Sequence, residues 1–99
     1  MNMQSLMAQA QKMQKEITIA KTEIDSQIFT GESQLVKVTM NGKKIVQSIH
    51  IDKNISIKPD DIDVLEDMIL IATNNCVKEI DKTIDAKLGK YGQSLNGLI

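Results

Sequence analysis

Asn41-Gly42 lies between two β-branched runs, Leu35-Val36-Lys37-Val38-Thr39-Met40 and Ile45-Val46-Gln47-Ser48-Ile49-His50-Ile51. Asn-Gly is the dipeptide that most readily takes positive φ at both centres of a tight turn, so the stretch predicts an antiparallel hairpin. With a two-residue loop, Met40 would pair with Lys43, Val38 with Ile45 and Val36 with Gln47. These residues would share a buried face with Ile49 and Ile51, leaving Leu35, Lys37, Thr39, Lys44, Val46, Ser48 and His50 on the wetter face. A longer turn or a bulge would change the register. Upstream, Ile28 and Phe29 predict a short first strand, with Gly31 opening the turn into the second. The sheet is expected within residues 27–52.

A helix is expected on either side of this sheet. Over residues 1–25, Met3, Leu6, Ala10, Met13, Ile17, Ala20 and Ile24 recur at alternating spacings of three and four. That narrow seam suits packing against one other helix rather than flat against a sheet. Pro59-Asp60-Asp61 predicts the start of a second helix over 60–88, with Asp60 as N-cap. Its carboxylates lie early and its lysines late, complementing the macrodipole. Ile62, Leu65, Ile69, Ala72, Cys76, Ile80, Ile84 and Leu88 form its buried stripe, while Val64, Met68 and Ile71 add an apolar flank beyond the needs of one small sheet. Gly89 fits the position after a helix end, and 89–99 is expected to be a flexible tail. The class is therefore α+β, in one domain covering residues 1–99.

A 99-residue chain with one Tyr, one Phe and no Trp must fill its core with aliphatic side chains. At this size, folding buries only about 60–65% of the unfolded surface, which favours a partner subunit. The single Cys76 excludes an internal disulfide and suits a reducing cytosol. No apolar run approaches a membrane span, and the N-terminus lacks a signal-peptide pattern, so a soluble cytoplasmic protein is expected.

Every one of the 12 cationic residues is lysine. Arginine forks that read guanine edges are therefore absent, although phosphate attraction remains. Charge is segregated: residues 52–67 carry two lysines against six carboxylates, and the remainder is mildly basic. His50 is the only histidine and reads as a solvent-side strand residue. Asp60, Asp61 and Asp63 lack the ligand spacing of a calcium loop. With no phosphate loop, paired-Cys pattern or nucleophile elbow, neither enzymatic activity, a metal nor a cofactor is expected.

Thr30-Gly31-Glu32-Ser33, Leu35-Val36-Lys37-Val38-Thr39-Met40-Asn41-Gly42 and Ile49-His50-Ile51-Asp52 together resemble the central signature of the YbaB/EbfC nucleoid-associated proteins. Leu65-Glu66-Asp67-Met68, followed by Ala72-Thr73-Asn74-Asn75, resembles that family's second signature. The likeness implies a helix, a three-stranded antiparallel sheet and a long C-terminal helix. It further implies a tweezer-like homodimer that binds double-stranded DNA in the bacterial nucleoid with little sequence preference. In such a dimer Lys12, Lys15 and Lys21 on one helix, and Lys78, Lys82, Lys87 and Lys90 at the end of the other, would line a shared cleft. The chain departs from the pattern in three places. Gln34 alone stands where extra glycines are usual, His50 replaces a common acidic residue, and the helices carry no arginine. The rival expectation is a protein-interaction adaptor of the replication or recombination machinery, suggested by the acidic balance and the apolar seam of the first helix.

Overall fold

The computed structural model describes residues 2–95. Helix α1 (Met3–Ser26) leads into strands β1 (Phe29–Ser33), β2 (Val36–Met40) and β3 (Val46–Ile51). A 3₁₀ turn over Pro59–Asp61 then precedes helix α2 (Ile62–Leu88), and 3₁₀ turns follow over Gly89–Leu95. The sheet is antiparallel in the order β1-β2-β3. Helix α2 packs across β1 and β2, enclosing Phe29, Val36, Val38 and Met40 against Ala72, Cys76 and Ile80.

The two-residue loop is found one turn earlier than Asn41-Gly42. Ser33 pairs with Val36, so Gln34 and Leu35 make the tight connection, and Gln34 carries the positive φ of 48°. Gly31, expected to open that turn, lies inside β1 and pairs with Val38. An L-residue is strained in the left-handed region, whereas glycine is not. Gln34→Gly is therefore expected to stabilise the fold by about 0.5–1 kcal/mol, raising the melting midpoint by about 2–6 °C in thermal denaturation.

After β2 the loop is longer than two residues. Val38 faces Ile49 and Val36 faces Ile51, while Met40 faces Val46 across an irregularity at Thr39/Met40. The pairings of Met40 with Lys43, Val38 with Ile45 and Val36 with Gln47 are thus overturned. The cause is the Asn41 side chain, whose Oδ1 accepts from the Lys43 and Ile45 amides at 2.9 and 3.2 Å. Ile45 O in turn accepts from the Asn41 amide at 3.1 Å. Positive φ falls on Lys44 (66°), not on Gly42. Because β3 slides by an even number of residues opposite Val36 and Val38, Ile49 and Ile51 stay on the helix side of the sheet.

Asn2 caps α1, its Oδ1 accepting from the Ser5 amide at 2.8 Å. Only the inner half of the apolar seam is covered: Ile17 and Ile24 are buried and Ala20 packs against the core. At the start of α2, Asp60 is not the cap. Asp61 Oδ2 accepts from the Lys58 amide at 3.0 Å, bracing the Pro59–Asp61 turn from which α2 continues. Gly89 keeps right-handed helical angles (φ −58°, ψ −30°), so α2 tightens into 3₁₀ turns instead of ending in a left-handed cap. Residues 89–95 form 3₁₀ turns broken by a kink at Gly92 (φ 57°, ψ −130°), and Tyr91 packs against the core cluster; the rest of the expected tail, 96–99, lies outside the described residues.

Candidate nucleic-acid interface

Four of the seven lysines singled out above occupy outward helix faces. On α1, Lys12 and Lys15 lie opposite the Ile17–Ile24 seam by helical spacing, and both are exposed. On α2, Lys78 and Lys82 are exposed i,i+4 neighbours, with Lys78 at the β1 edge of the helix, where it borders a groove with Ile28, Glu32 and Asn75. Among the described residues none of the four has a carboxylate within ion-pair distance. Lys87 is exposed in the last turn of α2. Lys90 Nζ lies 5.1 Å from the centre of the Tyr91 ring, and the two line a groove with Gln9, Lys12, Met13 and Glu16. Lys12 and Lys90 therefore border one groove, braced by Tyr91, whose hydroxyl donates to Glu16 Oε2 at 3.3 Å.

Lys21 stands apart. Its ammonium pairs with Asp25 at 3.0 Å one turn away and faces a third basic group that sequence reasoning missed. Lys43 and Lys44, from the loop between β2 and β3, border the same cavity of about 300 Å³, with Ile24, Ile84 and Leu88 behind them. Lys44 is neutralised by Asp81 at 2.8 Å; Lys43 has no such partner among the described residues. Two adjacent lysines in a turn are a visible signal, but the docking of that turn on α1 is a tertiary fact. One copy thus presents three separate basic groups, and among the described residues no one cleft gathers the seven candidate lysines.

Cys76 is fully buried and donates to Phe29 O at 3.4 Å. Burial pushes its thiol up, offset in part by a backbone hydrogen bond from Met40 and reinforced by Glu79, so the inert protonated form dominates. Asn75 Nδ2 donates to Glu32 O at 3.1 Å, tying α2 to β1. His50 is exposed on β3. Among the described residues no group of three or more His, Cys, Asp or Glu side chains could hold a metal ion, and no helix is long and apolar enough to cross a membrane.

The fold and its surface define a small α+β domain with a projecting helix and outward lysines on both long helices. The profile of the YbaB/EbfC DNA-binding family matches residues 1–95, and the chain belongs to that family. Over 97 residues it is 39% identical to a nucleoid-associated protein of Lactococcus lactis subsp. cremoris, covering 96% of this chain and 97% of the relative. A nucleoid-associated protein of Enterococcus faecalis is 37% identical over 98 residues, covering 97% and 93%. A crystal structure of an uncharacterized Helicobacter pylori protein superposes with a TM-score of 0.67 at 20% identity, covering 100% of this chain and 99% of that one.

Proposed function

We propose that the protein is a homodimeric, non-enzymatic component of the bacterial nucleoid that binds double-stranded DNA through its phosphates, with little sequence preference and an architectural role. The observation that carries this reading is the set of four exposed lysines, Lys12, Lys15, Lys78 and Lys82, without an ion-pair partner among the described residues, on both long helices of a chain in a DNA-binding family. Lysine contacts to phosphate release counterions and carry no base information. With no arginine in the chain, guanidinium forks that read guanine edges are absent.

Dimerisation supplies what one copy lacks, because symmetry doubles each basic group. The surface that suits it lies beside β3. Helix α2 covers β1 and β2, so Ile49 on the helix side of β3 remains 50% exposed. Leu70, 59% exposed, shares an α2 flank with Val77, Ile84 and Asp81, and Asp81 reaches Lys44 near the start of β3. An apolar notch is thus left between α2 and β3. A second copy related by a two-fold axis would fill it with the same residues.

The test is duplex binding at two salt concentrations, with the dimer mass measured in the same buffer. Lys78→Glu/Lys82→Glu and Lys12→Glu/Lys15→Glu variants are each expected to lose about tenfold or more in affinity at low salt. The slope of log K against log salt should fall by about 0.9 for each phosphate contact removed. Wild-type affinity in both variants would remove these helices from the site.

A further inference from the structure

The segment that follows α2 reaches back to α1. Tyr91, the single tyrosine of the chain, packs against the core cluster and extends its hydroxyl to Glu16 on α1. Between the two elements lies a groove of about 440 Å³, lined by Gln9, Lys12, Met13, Glu16, Lys90 and Tyr91. It is the place where a lysine of α1 and a lysine beyond the end of α2 share one surface.

The lining is rich in donors. Lys90 Nζ sits 5.1 Å from the centre of the Tyr91 ring, a cation–π distance that holds the ammonium over the ring. Neither Lys12 nor Lys90 has a carboxylate within ion-pair distance among the described residues. The Gln9 amide brings two further N–H donors. Against these stands one carboxylate, Glu16. Glu16 lies one turn from Lys12, where an ion pair could form, yet it is turned to Tyr91 instead. Their 3.3 Å separation is long beside the about 2.5–2.7 Å of a well-made hydroxyl-to-carboxylate bond. The phenol hydroxyl is thus weakly held and open to exchange with another oxyanion.

A phosphate fits this set, because ammonium groups attract its charge and a tyrosine hydroxyl is among the side-chain donors that contact phosphate oxygens. Lys15 lies three residues beyond Lys12 on the exposed side of α1. Lys90, Lys12 and Lys15 therefore make a row that starts on one element and continues on the other. Such a row suits successive phosphates of a chain better than one small anion. Resting on the DNA-binding reading above, we propose that this groove seats the phosphodiester backbone of the duplex, with Lys12 and Lys90 flanking it. Tyr91 donates its hydroxyl to a phosphate oxygen in place of Glu16. Glu16 is then a competitor for that hydroxyl, and its removal favours binding.

Duplex binding measured across a salt series tests it, because the two kinds of contact leave different signatures. Lys90→Ala is expected to lose about threefold or more in affinity at low salt, with the slope of log K against log salt lowered by about 0.9. Tyr91→Phe keeps the ring and its packing, and should lose about threefold at every salt concentration. Its slope should match wild type, since a neutral hydroxyl releases no counterion. Glu16→Gln should bind more tightly than wild type, and Tyr91→Phe added to it should again cost about threefold. Circular dichroism should be unchanged in all of them.

Tyr91→Phe without effect in the Glu16→Gln background would mean that the hydroxyl only restrains Glu16, and would overturn the proposal. So would wild-type affinity and slope in Lys90→Ala. With no tryptophan in the chain, tyrosine emission reports on this groove alone. Inorganic phosphate should leave that emission unchanged at concentrations where duplex saturates the protein. A saturating response to inorganic phosphate there would assign the groove to a free anion and overturn the proposal as well. Weakened binding in Lys78→Glu/Lys82→Glu beside unaffected Lys90 and Tyr91 variants would sink this site and leave the DNA reading standing. A wild-type protein that binds no duplex would sink both.

Discussion

Gly31→Ala is expected to destabilise the fold by about 3 kcal/mol or more. Gly31 sits in the middle of β1, where the strand crosses α2. A Cβ there would strike Ala72 O and Cys76 N, and would lie 2.8 Å from Cys76 Cα. All three are helix backbone atoms, so no side-chain rotation relieves the overlap. The strand must lift off the helix instead. Lifting it would break the Asn75 bond to Glu32 O and the Cys76 bond to Phe29 O, and uncover Phe29, Val38 and Ile80. Native domains are stable by only about 5–15 kcal/mol, so such a loss is a large fraction of the whole. Urea denaturation followed by circular dichroism checks it, with Gly89→Ala as control. No atom lies within 4 Å of a Cβ placed at Gly89, and its angles are helical, so that change should be neutral or stabilise by up to about 1 kcal/mol. A Gly31→Ala midpoint equal to wild type would mean that β1 is not seated on the α2 backbone.

The position of Gly31 shows what the sequence could and could not reveal. Heptad spacing in α1, the three-and-four stripe of α2 and the alternation of Val36 and Val38 are local signals that report which face meets the core, whereas Ile49, expected on the same buried face, stays 50% exposed because α2 covers β1 and β2. Gly31 carries no such signal. Its requirement comes from Ala72 and Cys76, small residues some forty positions away in the chain. The register of β3 was hidden for a related reason, since the Asn41 side chain closes a longer loop than the Asn-Gly pair suggests. Of the candidate site, the outward lysines of α1 and α2 were legible from helical spacing. The ion pair of Lys44 with Asp81 was not, because it joins a strand loop to a helix.

Gly42→Ala is expected to cost about 2–3 kcal/mol by forcing the loop between β2 and β3 off the end of α1. The Gly42 amide donates to Asp25 O at 3.2 Å, satisfying one of the carbonyls that a helix C-terminus leaves unpaired. A Cβ at Gly42 would strike the Ile24 carbonyl and lie 2.9 Å from Asp25 Cα. The same loop borders Ile24, Ile84 and Leu88, so its displacement would admit water where α1 joins the body. Hydrogen exchange should accordingly quicken at Gly42 and Gln27, whose amide is held by Ile24 O at 3.1 Å, before the β1–β2 ladder is affected. Gly42→Asn separates the two reasons a glycine could be needed. If positive φ were the requirement, asparagine, which tolerates that region, would restore most of the stability lost with alanine. If close approach to the α1 backbone is the requirement, asparagine should be no better than alanine. Recovery in Gly42→Asn would return the turn to the tight Asn-Gly geometry and remove the latch between the hairpin and the arm.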